Sequence, residues 1–232
     1  MTPALPARHA GFVPDLTLDT PWRRTFHALR DKLGTGFTAA LCGGRGNGKT
    51  QMAVLLCQCE KLERRGTASF ATATDFLMDV KATYRQGSDK CEADVLRDYL
   101  APTLLVLDEF DKRAGTEWEQ SLLFHLLNHR YNAVKDTLLV SNLAPDAFKA
   151  LVGESVASRM QEGGGIVECA WPSFRGAAAP RRREEPGRVF KACGLEWGPD
   201  KVPERGQFRE GPDGDGAHAA CLAAWQKWKE KL

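Results

Sequence analysis

Short apolar runs alternate along the chain with longer stretches in which apolar residues recur every three or four positions. The short runs are Ala39–Cys42, Ala68–Ala73, Thr103–Leu107, Thr137–Val140 and Ile166–Ala170. Their near-continuous apolar character predicts strands covered on both faces, as in a parallel sheet. The helical spacing first appears at Trp22, Phe26, Leu29 and Leu33, and returns over 52–62, over 75–84 (Phe76, Leu77, Val80, Tyr84) and over 91–100. A longer amphipathic helix is expected over 117–131, with Leu122, Leu123, Leu126, Leu127 and Tyr131 on its apolar side, followed by short helices over 143–160. Strands and helices in alternation predict an α/β protein of three layers, a parallel sheet flanked by helices. A last amphipathic helix is expected over 218–232, where Cys221, Leu222, Trp225, Trp228 and Leu232 recur at three- and four-residue steps.

The link between the first strand and its helix adds chemistry to this fold. It reads Gly43-Gly44-Arg45-Gly46-Asn47-Gly48-Lys49-Thr50, a Gly-x4-Gly-Lys-Thr phosphate-binding loop in the strand-loop-helix context that the motif requires. Glycines let the backbone take positive φ and aim successive N–H groups at a polyphosphate on the helix N-terminus. Lys49 is expected to reach the β- and γ-phosphates and the Thr50 hydroxyl to ligate Mg²⁺, with Gly43, Gly44, Arg45, Gly46, Asn47, Gly48, Lys49, Thr50 and Gln51 forming the nucleotide cradle. The bland alternative, a glycine-rich turn with a chance Lys-Thr, does not account for the flanking strand and helix.

The third apolar run ends in Asp108-Glu109. A carboxylate at the C-terminal end of a buried strand beside the loop suits Mg²⁺, so Asp108 takes that role and Glu109 becomes the candidate base for an attacking water. Acids capping a strand are common in isolation; downstream of a phosphate loop they point to nucleotide hydrolysis. The fourth run ends in Ser141-Asn142, and the Asn142 amide can hydrogen-bond a γ-phosphate or the water.

The chain has 232 residues, 43% of them apolar, enough for one nucleotide-binding domain with a terminal extension. With 32 basic and 30 acidic residues the net charge is +2, so composition by itself argues for neither nucleic acid nor a membrane surface. No apolar run reaches the roughly 20 residues of a membrane span, and a soluble, cytoplasmic protein is expected. Seven cysteines without framework spacing fit reduced thiols. Cys57 and Cys59 read as core residues, His125 and His129 as a solvated helix face, and a zinc site from Cys193, His218 and Cys221 would need a fourth ligand. No metal beyond Mg²⁺ is expected.

Taken in order, the loop, Leu-Val-Leu-Asp-Glu-Phe, Leu-Val-Ser-Asn-Leu, Ser-Arg-Met and Trp-Pro-Ser-Phe-Arg resemble the DnaC-like helicase loaders of the AAA+ ATPases; the IstB-type transposition helper ATPases are close relatives. The resemblance runs from about Pro6 to Arg175. It implies a P-loop fold of AAA+ type, ATP and Mg²⁺ as cofactors, and roles for Asn142 as sensor 1, Arg159 as the arginine finger and Arg175 as a sensor 2-like arginine. It also implies a homo-oligomer joined through nucleotide-bridged interfaces, with a replicative helicase and single-stranded DNA as partners. For DNA the local candidates are Lys81, Arg85 and Lys90 around Tyr84. The expected organisation is a lead-in over 1–36, the ATPase domain over 37–175, and a polar linker with a helical tail over 176–232. An IstB-like helper in transposition and a nucleotide-dependent adaptor that does not hydrolyse are the alternatives.

Overall fold

The computed structural model describes residues 5–10 and 19–174, all within one compact unit. Its strands are β1 (Thr38–Cys42), β2 (Ala68–Thr72), β3 (Leu104–Asp108), β4 (Asp136–Val140) and β5 (Gly165–Glu168), side by side in the order β2-β3-β4-β1-β5. Every neighbouring pair is parallel. The helices are α1 (Ala7–Ala10), α2 (Pro21–Arg30), α3 (Lys49–Leu62), α4 (Ala73–Ala82), α5 (Glu92–Leu100), α6 (Glu117–Asn132), α7 (Pro145–Val152) and α8 (Glu154–Gly163). No helix among the described residues is long and apolar enough to cross a membrane. Arg175, Cys193, His218, Cys221 and the linker and tail expected over 176–232 lie outside the described residues.

Both faces of the sheet are covered, which is why β1, β3 and β4 are buried at every position. Strand alternation divides their side chains. Ala40, Leu105, Leu107 and Leu139 pack with Phe76, Leu77 and Val80 of α4 and Leu122, Leu123, Leu126 and Leu127 of α6. The alternate set, Leu104, Val106 and Asp108, belongs to the opposite face, on which α3 packs across β2, β3 and β4.

Several expected boundaries move, each for a local reason. α3 starts at Lys49 rather than Met52, so the loop's own Lys-Thr forms the first helical turn. α4 starts at Ala73, because Thr72 accepts from Asp75 N (3.0 Å) while the Asp75 carboxylate accepts from Thr72 N, a capping box. The expected turn over Gly163–Gly165 is taken up by α8 and β5. Gly164 closes against β1 so tightly that a Cβ there would meet Ala39 Cβ at 2.5 Å.

The apolar side of α6 is corrected as well. Tyr131 is only half-buried, whereas Arg130 is fully buried. Its guanidinium donates to the carbonyls of Tyr99 (3.1 Å), Pro102 (2.9 Å) and Asp136 (2.6 Å), and its Nε to Thr137 Oγ1 (2.9 Å). Desolvation pulls its pKa down to about 10, against the pull of Asp136. The Asp136 carboxylate in turn accepts the N–H groups of Gly34, Gly36 (2.8 Å) and Phe37 (3.1 Å), fastening the segment that enters β1. Cys57 and Cys59 are buried core residues. The His125 and His129 rings lie 4.3 Å apart, tilted by 46°, on an exposed face of α6, and among the described residues no group of three His, Cys, Asp or Glu could hold a metal.

Candidate nucleotide site

The phosphate loop connects β1 to α3, with Gly43, Gly46 and Gly48 at φ of 134°, 88° and 72°. These are the values at which only glycine avoids strain, and they turn the backbone around the N-terminus of a 14-residue helix. Lys49 Nζ donates to Gly43 O (2.8 Å) and Gly44 O (2.7 Å), so the loop closes on its own cation. Burial lowers the Lys49 pKa, while the nearby Asp108 and Asp111 raise it. A buried ammonium at the N-terminus of α3 puts positive charge where a polyphosphate would sit.

Distant residues hold the loop in place. Asn47 Nδ2 donates to Cys169 O and Trp171 O, both at 2.7 Å, and Trp171 Nε1 returns a bond to Asn47 O (2.7 Å). Phe174 N donates to Gly46 O (2.9 Å) and Trp22 Nε1 to Gly48 O (3.1 Å). Asn47 thus supports the cradle through its side chain, while Gly44 and Arg45 are exposed at the loop surface. Gln51, expected in the cradle, has its amide nitrogen donating to His9 O (3.1 Å) and its oxygen 3.0 Å from His9 Nδ1. As a buried residue of α3 it fastens α1 through this side chain.

The acids meet the loop at the strand ends. Thr50 Oγ1 donates to Asp108 Oδ2 at 2.7 Å, and Asp108 Oδ1 accepts from Glu109 N (2.7 Å). Burial raises the Asp108 pKa, partly offset by these two bonds. A hydroxyl and a carboxylate in contact at the foot of a phosphate cradle offer two oxygen donors of the kind Mg²⁺ takes. Glu109 follows at φ of 52°, in the left-handed region, with its carboxylate half-exposed and paired to Lys112. β4 lies between β1 and β3, and this puts Ser141 and Asn142 beside both motifs.

Residues 35–160 match the family described as IstB-like ATP binding protein. The chain belongs to this family. The replicative helicase loader DnaC of Escherichia coli K12 is 28% identical over 134 residues, covering 57% of this chain and 54% of DnaC. Rv3427c, in an insertion sequence of Mycobacterium tuberculosis H37Rv, is 31% identical over 171 residues, or 72% of this chain and 64% of its own. The chain therefore spans between half and two thirds of the length of these relatives. Among solved structures, the DnaC helicase loader matches with a TM-score of 0.56 at 20% identity, covering 68% of this chain and 93% of that one. AMPPCP-bound DnaA from Aquifex aeolicus gives 0.56 at 22%, covering 71% and 50%. The fold is that of the AAA+ P-loop domains.

Within this IstB-like chain the remaining candidates separate. Asn142 N donates to Asp111 Oδ1 (2.8 Å), which also accepts from Ser141 Oγ (2.9 Å). Asp111 was not singled out in the sequence, and only its place three residues after Asp108 could have marked it. Arg159, on α8, lies over the rings of Phe124 (5.8 Å) and Tyr131 (5.3 Å) of α6, and its Nη1 is buried without a hydrogen-bond partner. Glu162, three residues further along α8, accepts from Tyr131 Oη (2.5 Å). The group offered for DNA is partly committed: Lys90 pairs with Asp98, Tyr84 Oη donates to Glu92, and Lys81 lies 5.1 Å over Trp118, whose edge packs on Tyr84. Arg85 is exposed beside them.

Proposed function

We propose that this IstB-family chain is a Mg²⁺-dependent ATPase that loads a replicative helicase, binds single-stranded DNA and assembles with copies of itself through nucleotide-bridged interfaces. The observation that carries the ATPase reading is the Thr50–Asp108 contact at 2.7 Å at the foot of a cradle closed on Lys49. When bound, Mg²⁺ draws negative charge from the β- and γ-phosphates. The loop N–H groups and Lys49 hold the phosphates, and Asn142 offers an amide to the γ-phosphate or the water. Glu109 takes a proton from water as its oxygen bonds to the γ-phosphorus and the bond to the β–γ bridging oxygen breaks, leaving ADP and phosphate. Arg159 belongs to a neighbour's site in this scheme, and Arg175 to the sensor 2 position. The proposed organisation keeps 1–36 as lead-in, 37–175 as ATPase domain and 176–232 as an appended segment, in the cytoplasm.

The helicase partner is supported by the similarity to DnaC, and a second reading, a helper ATPase in transposition, by the similarity to Rv3427c. Co-purification of the full chain with a replicative helicase as against a transposase decides between them. ATP turnover with and without single-stranded DNA separates both from a non-hydrolysing adaptor. Lys49→Ala is expected to lose nucleotide binding, and Glu109→Gln to retain binding and lose hydrolysis; hydrolysis by Glu109→Gln at the parent rate removes Glu109 as base.

A further inference from the structure

The turn after β3 joins two strand ends through one side chain. Phe110 N donates to Val140 O (2.9 Å), and the Phe110 ring is buried against Phe148, so the residue after Glu109 is anchored in the core. Asp111, the next residue, has its Oδ1 shared by Ser141 Oγ (2.9 Å) and the backbone N–H of Asn142 (2.8 Å). Ser141 Oγ also accepts from Leu143 N (3.1 Å), and Glu109 O accepts from Lys112 N (2.8 Å). Two tight turns, one carrying the candidate base and one the candidate sensor amide, are thus knitted around a single acid.

We propose that Asp111 is a positioning residue that holds the Asn142 backbone in register with Glu109, and so sets where the Asn142 carboxamide leaves the chain. A carboxamide offers an oxygen and two N–H groups, and what they can reach depends on where the backbone roots the side chain. Tying the Asn142 N–H and the Ser141 hydroxyl to one carboxylate, two residues after Glu109, fixes that root. Burial alone would raise the Asp111 pKa, but the bonds from Asn142 and Ser141 hold it below the usual carboxylate value, so the acceptor is ionised at neutral pH. The role rests on the hydrolase reading above.

The test compares Asp111→Ala, Asp111→Asn and Asn142→Ala in the full chain. Asp111→Ala is expected to lower kcat by about tenfold or more, the scale seen when a group that orients a catalytic ligand is lost, with ATP affinity within about twofold of the parent. Asp111→Asn keeps an acceptor oxygen and is expected to recover most of kcat. In an Asn142→Ala background, Asp111→Ala is expected to cost nothing further; an additive loss, or parent kcat in Asp111→Ala, overturns the proposal. The backbone amide proton of Asn142, followed by NMR, is expected to move upfield in Asp111→Ala, and an unchanged shift overturns the geometry irrespective of activity. If the parent turns over no ATP, the hydrolase reading falls, and the ratio of ATP to ADP affinity becomes the measure. Asp111→Ala and Asn142→Ala must then lower it equally, and unequal effects overturn the proposal. Should Asp111→Ala not fold, Ser141→Ala removes one donor to the carboxylate and is expected to lower kcat about two- to fivefold; no change overturns the proposal.

Discussion

Thr50 Oγ1 donates to Asp108 Oδ2 at 2.7 Å although 58 positions of sequence separate them. Burial raises the Asp108 pKa above its unfolded value. A carboxyl with a raised folded pKa adds stability when protonated and loses it as the pH rises through that pKa, so the metal-free chain is destabilised by this group as the pH rises from about 4. Asp108→Asn is expected to flatten the pH dependence of Tm over that range and to remove the gain in Tm from added Mg²⁺ and ATP. Thermal melts of both proteins at several pH values, with and without Mg²⁺ and ATP, check it.

Gly48 has no room for a side chain. A Cβ there would lie 2.9 Å from Trp22 Nε1 and 3.1 Å from the Phe174 ring, at a φ of 72°. Gly48→Ala is expected to weaken ATP binding by more than tenfold, since the left-handed conformation alone costs roughly 1–2 kcal/mol. Trp22→Phe loses the N–H to Gly48 O together with part of a buried ring stacked on Phe26, and is expected to weaken binding severalfold or more, about 1 kcal/mol of it from the hydrogen bond. Titration with a fluorescent ATP analogue measures both.

Arg159 rests on Phe124 and Tyr131 with its Nη1 unpartnered. If it completes a neighbour's site, Arg159→Ala binds ATP normally and hydrolyses it on the order of a thousandfold more slowly. Adding the inactive Lys49→Ala chain then restores part of the activity, because its arginine is intact. Co-assembly without recovery would show Arg159 to be structural.

Arg130 is expected to be a stability residue and not a functional one. Arg130→Met leaves buried carbonyls of Tyr99, Pro102 and Asp136 without a donor, and a loss of about 3 kcal/mol or more is expected at unchanged ATP affinity. Urea unfolding measures the first and ATP titration the second.

For single-stranded DNA, Arg85 is the exposed cation beside Tyr84, while Lys90 is paired with Asp98. Arg85→Ala is expected to weaken binding and to reduce the slope of log K against log salt by nearly one, and Lys90→Ala to do less. Equal effects, or none, in a salt titration would move the DNA surface elsewhere.

The sequence by itself determined the α/β alternation, the glycine loop and the acid pair, because each is a local pattern. A parallel strand covered on both faces must be apolar throughout, a phosphate cradle needs its glycines and Lys-Thr contiguous, and the acid that follows Leu104 and Val106 by twos falls on their face of the sheet. It did not reveal Arg130 as core, Gln51 as an anchor for α1 or Asp111 as the link to Asn142. Those depend on partners that arrive from other parts of the chain: carbonyls at the end of α5, a histidine on α1, the turn after β4. Only the strand order β2-β3-β4-β1-β5 brings Ser141 and Asn142 between the phosphate loop and the acids. A polar residue's role follows from which donors and acceptors surround it once water is excluded, and that is settled by tertiary packing and not by its own position in sequence.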